Sequence, residues 1–449
     1  MVGGVGVLVY LAFSVDASNK KVDRGAERWA VAYWRRPIPP QGAAPATHLE
    51  PARGILPEDC AACHPNQYRD WRESWHANAM GPGVVGQFAN TRFGFEASCL
   101  ECHAPLSEQW RQVRDQGGGY RDNPAFMPEL KNRGIVCAAC HLRKHRRHGP
   151  PLAEGKTPIS QAIHGEPERT PYFEASEFCK GCHQHPTTTL HINGKTVENT
   201  YREWLDSPYP ERGVTCQKCH MPGRRHLWKG IHDRKMTLSG VTITARLAPE
   251  KPRVGDNITA SLTLRNSGTG HAFPTYTTPA VFLKAAFLDD RGKVVPGGHY
   301  EEKILQRRLD MSTRPWGEHF DTRILPGREA RLVFERRVPP GAKSLYLWVW
   351  VEPDHFYTGF FRQRLAGGSD FAGAKLLDSA LKASLESQYS LFSRTIPIGP
   401  PRGSAQNRAG GEPRLFPPPT KRDGAPPDGL PPTRFAARMA AKQAAMRGR

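Results

Sequence analysis

Cys60-Ala-Ala-Cys63-His64 is the first of five copies of one pattern, in which two residues separate a pair of cysteines and a histidine follows the second cysteine. The other copies, here the second to fifth motifs, are Cys99-Leu-Glu-Cys102-His103, Cys137-Ala-Ala-Cys140-His141, Cys179-Lys-Gly-Cys182-His183 and Cys216-Gln-Lys-Cys219-His220. All ten cysteines of the 449-residue chain lie in these motifs. A pattern this regular decides the architecture of the front half of the chain.

The spacing of each motif is typical of covalent haem attachment. Both sulfurs form thioethers to the porphyrin, and the adjacent histidine becomes the proximal iron ligand. A single motif could also be a redox dithiol or half of a zinc site. Five copies with histidine in the fifth place argue against both alternatives, because neither needs that histidine. The sequence therefore predicts five c-type haems as cofactors.

The motifs are evenly spaced and occupy a short segment. Successive first cysteines are 39, 38, 42 and 37 residues apart, and the motifs end at residue 220. So little polypeptide cannot build a separate hydrophobic core around five macrocycles. The porphyrins are therefore expected to form the interior and to lie close enough together for electron transfer.

A second repeat lies between the motifs. Tyr68-Arg-Asp-Trp71-Arg-Glu-Ser74 recurs as Tyr201-Arg-Glu-Trp204-Leu-Asp-Ser207, and both copies read as short amphipathic helices. The first copy is followed by His76 and the second by Tyr209. A candidate iron ligand in one copy is thus replaced by a phenol in the other.

Beyond residue 238 cysteine is absent and apolar residues alternate, as at positions 241–247, 258–264 and 345–351. Alternation separated by turn signals predicts antiparallel strands in an immunoglobulin-like sandwich. Tyr346, Trp348 and Trp350 share the other face of one strand, so we expect that face to be covered by the haem domain, another subunit or the C-terminal helix.

The predicted fold class is α+β and multidomain, with a mainly helical or irregular multihaem domain before the β-sandwich. Helical spacing of apolar residues indicates a C-terminal helix near residues 374 to 393. The expected divisions are 1–18 as a signal sequence or N-terminal anchor, 19–54 as an extended linker, 55–237 as the pentahaem domain, 238–365 as the β-sandwich, 366–396 as the C-terminal helix and 397–449 as a disordered basic tail rich in Pro and Gly.

Haem attachment also predicts the compartment, because thioether ligation takes place outside the cytoplasmic membrane. Residues 2–15 are an apolar run of the length of a signal sequence, although its basic residues follow it rather than precede it. A longer signal sequence or an uncleaved anchor would account for this. We expect a periplasmic or otherwise extracytoplasmic protein, with membrane association through the N-terminus if the anchor persists. No apolar run approaches the roughly 20 residues of a membrane-spanning helix, which argues against a polytopic membrane protein.

The chain is strongly basic, with a formal net charge of +20. No nucleic-acid recognition motif accompanies this charge, so no nucleic-acid partner is predicted. Haem propionates would neutralise part of it, and the run Arg143-Lys-His-Arg-Arg-His148 directly after the third motif is well placed for this. The remaining positive field would attract an acidic redox partner protein.

Thirteen of the eighteen histidines lie outside the motifs and are candidates for the second axial position. His76, His232 and His271 have the most specific surroundings, and His148 (or His145) and His164 follow. His271 lies on a Gly-rich loop, residues 268–274, which could cap the haem left open where Tyr209 replaces a ligand. The other histidines that remain candidate ligands are His48, His185, His191 and His226. Methionine is a less favoured alternative ligand, and the available residues are Met80, Met127, Met221 and Met236.

The first motif, with Tyr68, Trp71, Ser74 and His76, and the segment Gly213–Pro222 resemble multihaem c-type cytochromes. These are the relatives of the nitrifiers' tetrahaem cytochrome and, more distantly, of hydroxylamine oxidoreductase and pentahaem nitrite reductase. The resemblance covers about residues 55 to 397 and implies histidine on both sides of most irons, stacked haem pairs and residence in the periplasm or at the cell surface. Pentahaem nitrite reductases typically carry lysine in one motif, whereas all five motifs here end in histidine, so the resemblance supports the scaffold more than a catalytic activity.

Two classes of function follow. In the first, every iron is six-coordinate and the protein relays electrons between redox partners, with no catalytic residue. In the second, one haem keeps an open position and acts on a small nitrogen or sulfur compound, with Tyr209 or a free histidine as proton donor. A high-spin ferric signal or carbon monoxide binding would separate them.

Overall fold

The computed structural model describes residues 22–89, 91–153, 163–185, 191–296, 299–311, 315–368, 370–401 and 414–416. The expected signal sequence or anchor, residues 1–18, lies outside these residues. So does most of the expected disordered tail, 397–449. Within that tail, however, residues 414–416 form a strand that pairs with Ala245–Leu247, so this part of the tail is ordered by a sheet.

The described residues form short helices in the front half and two longer ones near the C-terminus. They are α1 (Arg24–Tyr33), α2 (Pro57–Ala61), α3 (Pro65–Arg72), α4 (Pro82–Val85), α5 (Phe93–His103), α6 (Cys137–His141), α7 (Glu177–His183), α8 (Thr200–Leu205), α9 (Cys216–His220), α10 (Arg234–Gly240), α11 (His355–Ala366) and α12 (Ala374–Glu386).

The strands are short before residue 240 and long after it. They are β1 (Gln112–Arg114), β2 (Tyr120–Asp122), β3 (Leu142–Arg143), β4 (Arg146–Gly149), β5 (Glu168–Arg169), β6 (His191–Ile192), β7 (Lys195–Thr196), β8 (Val241–Ala248), β9 (Asn257–Asn266), β10 (Ala280–Leu288), β11 (Tyr300–Leu305), β12 (Arg307–Asp310), β13 (Gly317–Asp321), β14 (Glu329–Arg337), β15 (Ser344–Glu352), β16 (Tyr389–Pro397) and β17 (Arg414–Phe416).

The two copies of the Tyr-Trp-Ser repeat form helices α3 and α8 and use the same contacts. The indole nitrogen of Trp71 donates to the carbonyl of Ile135 at 2.7 Å, and that of Trp204 donates to Val214 at 2.9 Å. Both carbonyls lie two residues before a motif. The predicted helices are thus confirmed, and α3 anchors a motif 64 residues away in the chain, whereas α8 anchors the motif that directly follows it.

The back half contains two four-stranded antiparallel sheets, in the orders β14-β9-β8-β17 and β11-β10-β15-β16. The apolar faces predicted from alternation are buried, and one hydrophobic cluster takes side chains from both sheets. On the outer face of β15, Tyr346 and Trp348 are buried against Ala286 and Leu288 of β10. The mixed helix and strand composition is confirmed, while the immunoglobulin-like type of the sandwich stays a prediction.

The segment expected to be an extended linker, 19–54, contains helix α1. Asp23 accepts hydrogen bonds from the backbone of Gly25 and Ala26, which caps the helix. Ala30 and Tyr33 are buried against the motif region, and the Tyr33 hydroxyl donates to the carbonyl of Cys140 at 2.8 Å. The apolar side of this helix supplies protein core for the motifs, which composition did not reveal.

The C-terminal helix is shorter than predicted and does not stand alone. Helix α12 ends at Glu386, and residues 389–397 form β16, which pairs with β15. Tyr389 and Phe392, assigned to the helix from their spacing, belong to this strand, because strand β15 offers backbone groups that need a partner. Helix α11, which packs against α12, was not predicted. In the described parts of the chain, no helix combines the length and apolar character needed to cross a bilayer.

Candidate functional site

One continuous cavity of about 2310 Å³ runs through the front half and reaches loops of the back half. All ten cysteines and all five motif histidines line it. A site for one small molecule usually measures about 300–1,000 Å³. The cavity is therefore large enough for several macrocycles, and the residues that would attach them all face it.

Three motif histidines face a second imidazole across this cavity. The ring centroids are 6.3 Å apart for His183 and His76, 6.1 Å for His141 and His226, and 6.4 Å for His220 and His271. Two imidazoles bound to one metal ion by bonds of about 2.0 Å place their ring centroids roughly 6.3 Å apart. The spacing of these three pairs fits a bis-histidine iron.

The hydrogen bonds of these rings also fit metal ligation. Nδ1 of His103 lies 2.6 Å from the carbonyl oxygen of Ala79, and Nδ1 of His141 lies 2.8 Å from that of His148. Nδ1 of His220 has the same relation to the Lys229 carbonyl at 2.7 Å. A donor at Nδ1 leaves Nε2 with its lone pair free, which is the usual arrangement of metal-bound histidine.

His76 is placed by the first Trp repeat. Its carbonyl accepts a hydrogen bond from the backbone of Ile135 at 2.8 Å, next to the carbonyl that Trp71 binds. Gly134 has a φ of +67°, and a Cβ there would lie 2.4 Å from the His76 carbonyl oxygen. Only glycine allows this approach. Burial lowers the pKa of His76 to about 3, so the ring is neutral and able to bind a metal.

His271 reaches the fifth motif from the loop between β9 and β10. Its carbonyl accepts from Asn266 Nδ2 at 2.9 Å and from Thr269 Oγ1 at 2.7 Å. A Cβ on Gly270 would lie 3.0 Å from Trp204 Cδ1 and 3.4 Å from Tyr209 Cγ. The loop thus passes over Tyr209, the residue that replaces a ligand in the second repeat, and His271 takes the position facing His220.

His164 lies close to the first motif. Burial and then the charge of His164 lower the pKa of His64, which identifies these two as neighbours. Nδ1 of His164 is 3.0 Å from the Gly165 carbonyl oxygen, so its Nε2 is free.

Unlike the third, fourth and fifth motifs, the first and second motifs show no ring contact between the motif histidine and another imidazole among the described residues. All eighteen histidines are among the described residues, and none makes a ring contact with His103 there. Besides burial, the charge of His103 lowers the pKa of His183, the motif histidine of the fourth motif.

Two predicted ligands do not face a motif histidine. Nε2 of His232 is bound by the Asp354 carboxylate at 3.0 Å, so this nitrogen is occupied. His148 packs edge-on against Tyr33 at 5.3 Å and supplies only its carbonyl to His141. The imidazole that faces His141 belongs to His226.

The placement of His226 depends on helix α3. Asp70 accepts from Arg225 Nη2 at 2.6 Å and from the backbone of His226 at 3.2 Å. The positively charged Arg225 and these hydrogen bonds hold the pKa of Asp70 below its usual range. The only sequence signal for His226 was its place six residues after the fifth motif, which does not indicate that it turns toward the third.

Cysteines of different motifs meet in pairs inside the cavity. The thiol of Cys60 contacts Cys137, that of Cys102 contacts Cys182, and that of Cys179 contacts Cys216. Arg36, from the segment expected to be a linker, donates to Cys102 at 3.1 Å and to Cys182 at 3.6 Å. The first motif therefore adjoins the third, and the fourth adjoins both the second and the fifth.

The lining of the cavity is positively charged. Seven basic and four acidic side chains line it, and Arg147 of the basic run is among them. Arg143 instead packs over the Tyr33 ring at 3.7 Å and donates to the Tyr33 carbonyl at 2.9 Å. Only part of the run that was expected to neutralise propionates therefore faces the cavity.

No protein-family model and no curated protein matches the chain. The chain is similar in fold to a penta-heme cytochrome c552 from Thermochromatium tepidum. The TM-score is 0.54 at 20% identity, and the match covers 78% of this chain and 100% of the other. This likeness supports the expectation of a multihaem c-type cytochrome fold.

Proposed function

We propose that this protein is a multihaem cytochrome c that relays electrons through five covalently attached c-type haems. The observation that carries the proposal is the set of three imidazole pairs, with ring centroids 6.1 to 6.4 Å apart, in one cavity lined by all five motifs. Haem iron held by two histidines changes oxidation state without an open position for chemistry.

Each group of residues has a separate task in this proposal. The cysteines hold the porphyrins by thioether bonds, and His64, His103, His141, His183 and His220 are the proximal ligands. His76, His226 and His271 are the distal ligands of the fourth, third and fifth sites, and His164 is that of the first. The carbonyls bound to Nδ1 fix the orientation of the rings and raise their basicity.

The contacts between motifs support an order for the relay that differs from the order in the chain. The Cys60–Cys137 contact joins the first site to the third. Tyr33 links the third to the fourth, because its hydroxyl donates to the Cys140 carbonyl at 2.8 Å and its ring centroid lies 6.1 Å from that of Phe178, beside Cys179. Cys179 in turn contacts Cys216 of the fifth. Electrons would pass from the first site to the third, fourth and fifth, with the second site as a branch at the fourth.

The remaining expectations belong to the same proposal. Haem attachment requires export, so we place the protein in the periplasm or elsewhere outside the cytoplasm, as a relative of the nitrifier tetrahaem cytochrome group. Basic residues of the cavity would neutralise haem propionates, and the outer positive field would attract acidic redox proteins. The two back-half sheets would form an immunoglobulin-like sandwich that serves for docking. No nucleic-acid partner is proposed.

The experiment is a haem count combined with a ligand-state measurement on exported, purified protein. We expect intact mass spectrometry to find five haem adducts, and the ferric spectrum and electron paramagnetic resonance to be dominated by low-spin bis-histidine signals. A variant with Cys137 and Cys140 both replaced by Ser should lose one adduct. Colourless protein, or a mass equal to the bare polypeptide, would overturn the proposal.

A second candidate function has one specific observation in its favour. Among the described residues, no imidazole faces His103, so the iron of the second site would keep an open position. The protein would then act as an oxidoreductase on a small nitrogen or sulfur compound, with the other four sites supplying or removing electrons. Carbon monoxide binding to one haem in five would support this candidate, and a fully low-spin protein that binds none would exclude it.

A further inference from the structure

Glu108 and His145 form a buried polar pair outside the cavity. Each residue is only 4% exposed, and neither is among the side chains that line the cavity. Glu108 lies in the single helical turn Ser107–Gln109, whereas His145 lies at the tip of the hairpin formed by β3 and β4. The pair is therefore separate from the space that the macrocycles would fill.

Gln41 binds both members of the pair. Its backbone donates to Glu108 Oε1 at 2.5 Å, and its side-chain Oε1 accepts from the backbone of His145 at 3.4 Å. Nε2 of His145 lies 2.9 Å from the Gly42 carbonyl oxygen, so this nitrogen carries the ring hydrogen. Hydrogen bonds thus join three segments that are 67 and 104 residues apart in the chain.

One polar atom of each side chain has no partner. Glu108 Oε2 and His145 Nδ1 are buried and make no hydrogen bond to any described residue. Buried polar groups in proteins are nearly always paired. With the ring hydrogen on Nε2, Nδ1 of a neutral imidazole only accepts, and so does an ionised carboxylate. A single proton bound at Oε2 would supply the donor that both atoms lack.

Few charged groups surround the pair. Burial raises the pKa of Glu108, while the hydrogen bond from Gln41 and the charge of His145 act in the opposite direction. Arg147 Nη1 donates to the His145 carbonyl at 2.8 Å, and the charge of His145 also acts on His48. Among the described residues, neither a lysine nor an arginine makes an ion pair with Glu108. The carboxyl therefore has no fixed cation that would keep it ionised.

One hairpin connects the pair to the third motif. Strand β3 begins directly after His141, and the carbonyl oxygen of His148 in β4 lies 2.8 Å from His141 Nδ1. His145 is four residues after His141, which is at most about 13 Å of extended chain. At an effective dielectric constant of about 20, a unit charge at this distance changes a proton affinity about tenfold.

The tip of this hairpin is strained. Lys144 and His145 are its two loop residues, and their φ values are +52° and +58°. Turns with two positive φ angles favour Asn and Gly, and other residues adopt the left-handed region rarely. Such strain persists only where surrounding structure imposes it, and it is concentrated at functional sites. Here it accompanies the buried imidazole.

We propose that Glu108 takes up one proton when an electron reaches the third site, with His145 Nδ1 accepting the hydrogen bond of the new carboxyl group. The electron comes from the donor protein of the relay and the proton comes from solvent, so the two added charges cancel. Gly42 is exposed and its carbonyl binds His145, which places the pair one residue below the surface. The inference rests on the proposed relay and adds proton uptake to it.

The test follows the full, haem-loaded protein as the pH changes. Glu108→Gln keeps the size of the side chain but cannot ionise, and His145→Gln replaces the acceptor with an amide that can donate to the carboxylate. The control is Glu129→Gln, because Glu129 is exposed and lies two residues after Met127, whose backbone donates to the Glu108 carbonyl. The readouts are midpoint potentials from a spectroelectrochemical titration and the infrared band of a neutral carboxyl group, which reports the proton directly.

In the parent protein, one midpoint potential should fall as the pH rises, because the reduced form binds the proton more tightly. A tenfold difference in proton affinity between the two redox forms corresponds to a total fall of about 59 mV. The neutral-carboxyl band should grow on reduction. Glu108→Gln and His145→Gln should each lose both the fall in potential and the growth of the band. The control should match the parent, and all variants should retain five haems by mass.

The other outcomes separate this inference from the relay. If the protein carries five haems and exchanges electrons, but Glu108→Gln keeps the pH dependence of the parent, the proton site is overturned and the relay stands. A parent protein without the neutral-carboxyl band, or the same losses in Glu129→Gln, also overturns the proton site. A protein that holds no haem or exchanges no electrons overturns the relay, and the proton uptake fails with it.

Discussion

His271 faces His220 with ring centroids 6.4 Å apart and ring planes inclined by only 16°. His220 ends a helix of the motif region, whereas His271 belongs to a loop between two strands of the back half. The two halves of the chain therefore share the fifth site. In the proposed relay the β-rich half would thus supply a ligand of the fifth site, and this relationship leads to the first two predictions.

Replacing His271 with Ala removes the imidazole that faces His220. If the fifth iron is held by both residues, the variant should convert one haem in five from low spin to high spin and should create a site for carbon monoxide. Electron paramagnetic resonance of the ferric protein measures this change. His319→Ala is the control, since His319 is half exposed and lies away from the motifs. An unchanged low-spin signal in His271→Ala would contradict the assignment.

Arg323 supports the loop that carries His271. It is buried, its Nη1 lies 2.9 Å from Glu203, and Glu203 accepts a hydrogen bond from the backbone of Ala272 at 3.1 Å. Arg323→Gln leaves the Glu203 carboxylate buried without its cation, which should lower the free energy of unfolding by about 3–5 kcal/mol. It should also broaden the spectrum of the fifth haem.

Chemical denaturation followed in the Soret band measures the Arg323 effect. Arg331→Gln on an exposed strand position is the matched control and should change stability by less than about 0.5 kcal/mol. Equal stability of the two variants would show that the buried ion pair does not hold the loop.

Gly134→Ala should disturb the fourth site through His76. The new methyl group would lie 2.4 Å from the His76 carbonyl oxygen, in addition to the cost of a positive φ. Gly118→Ala is the control, because Gly118 also has a positive φ, +81°, but no atom lies within 4 Å of the position its Cβ would take. We expect both variants to lose about 1–2 kcal/mol from backbone strain.

Only Gly134→Ala should change the spin state or reduction potential of one haem. A redox titration monitored by absorbance measures the potential. Identical titration curves for the two glycine variants would mean that the contact with His76 does not position this ligand.

Low pH should weaken the ion pair between Lys195 of the front half and Asp321 of the back half. Burial alone would raise the pKa of Asp321, but hydrogen bonds and charges from Arg323 and Lys195 hold it well below its usual value. A carboxyl with a lowered pKa in the folded state stabilises the protein above its unfolded pKa, about 3.9, and this contribution is lost as the pH falls below that value.

Asp321→Asn should remove this part of the acid dependence while lowering stability at neutral pH. Thermal unfolding of the parent and the variant between pH 7 and pH 3 tests it. The difference in unfolding temperature should shrink toward pH 3. A difference that stays constant with pH would refute the linkage.

The motifs and the strand faces were predictable because both depend on residues close together in the chain. Two residues between cysteines bring both sulfurs and the histidine to one edge of a macrocycle, and alternation places side chains on one face of a strand. The two Trp repeats were found for the same reason, since each is a single helical turn or two. Local geometry was enough to predict five haem sites and several antiparallel strands.

The partners of these local units were decided by tertiary structure. His226 turns toward the third motif because Asp70 of a distant helix binds the backbone and Arg225 beside it. Helix α1 and Arg36 pack against motifs that lie 66 or more residues away, and β16 forms where a helix was expected because β15 needed a neighbour. Contacts of this kind depend on which distant surfaces bury each other, and no spacing along the chain encodes them.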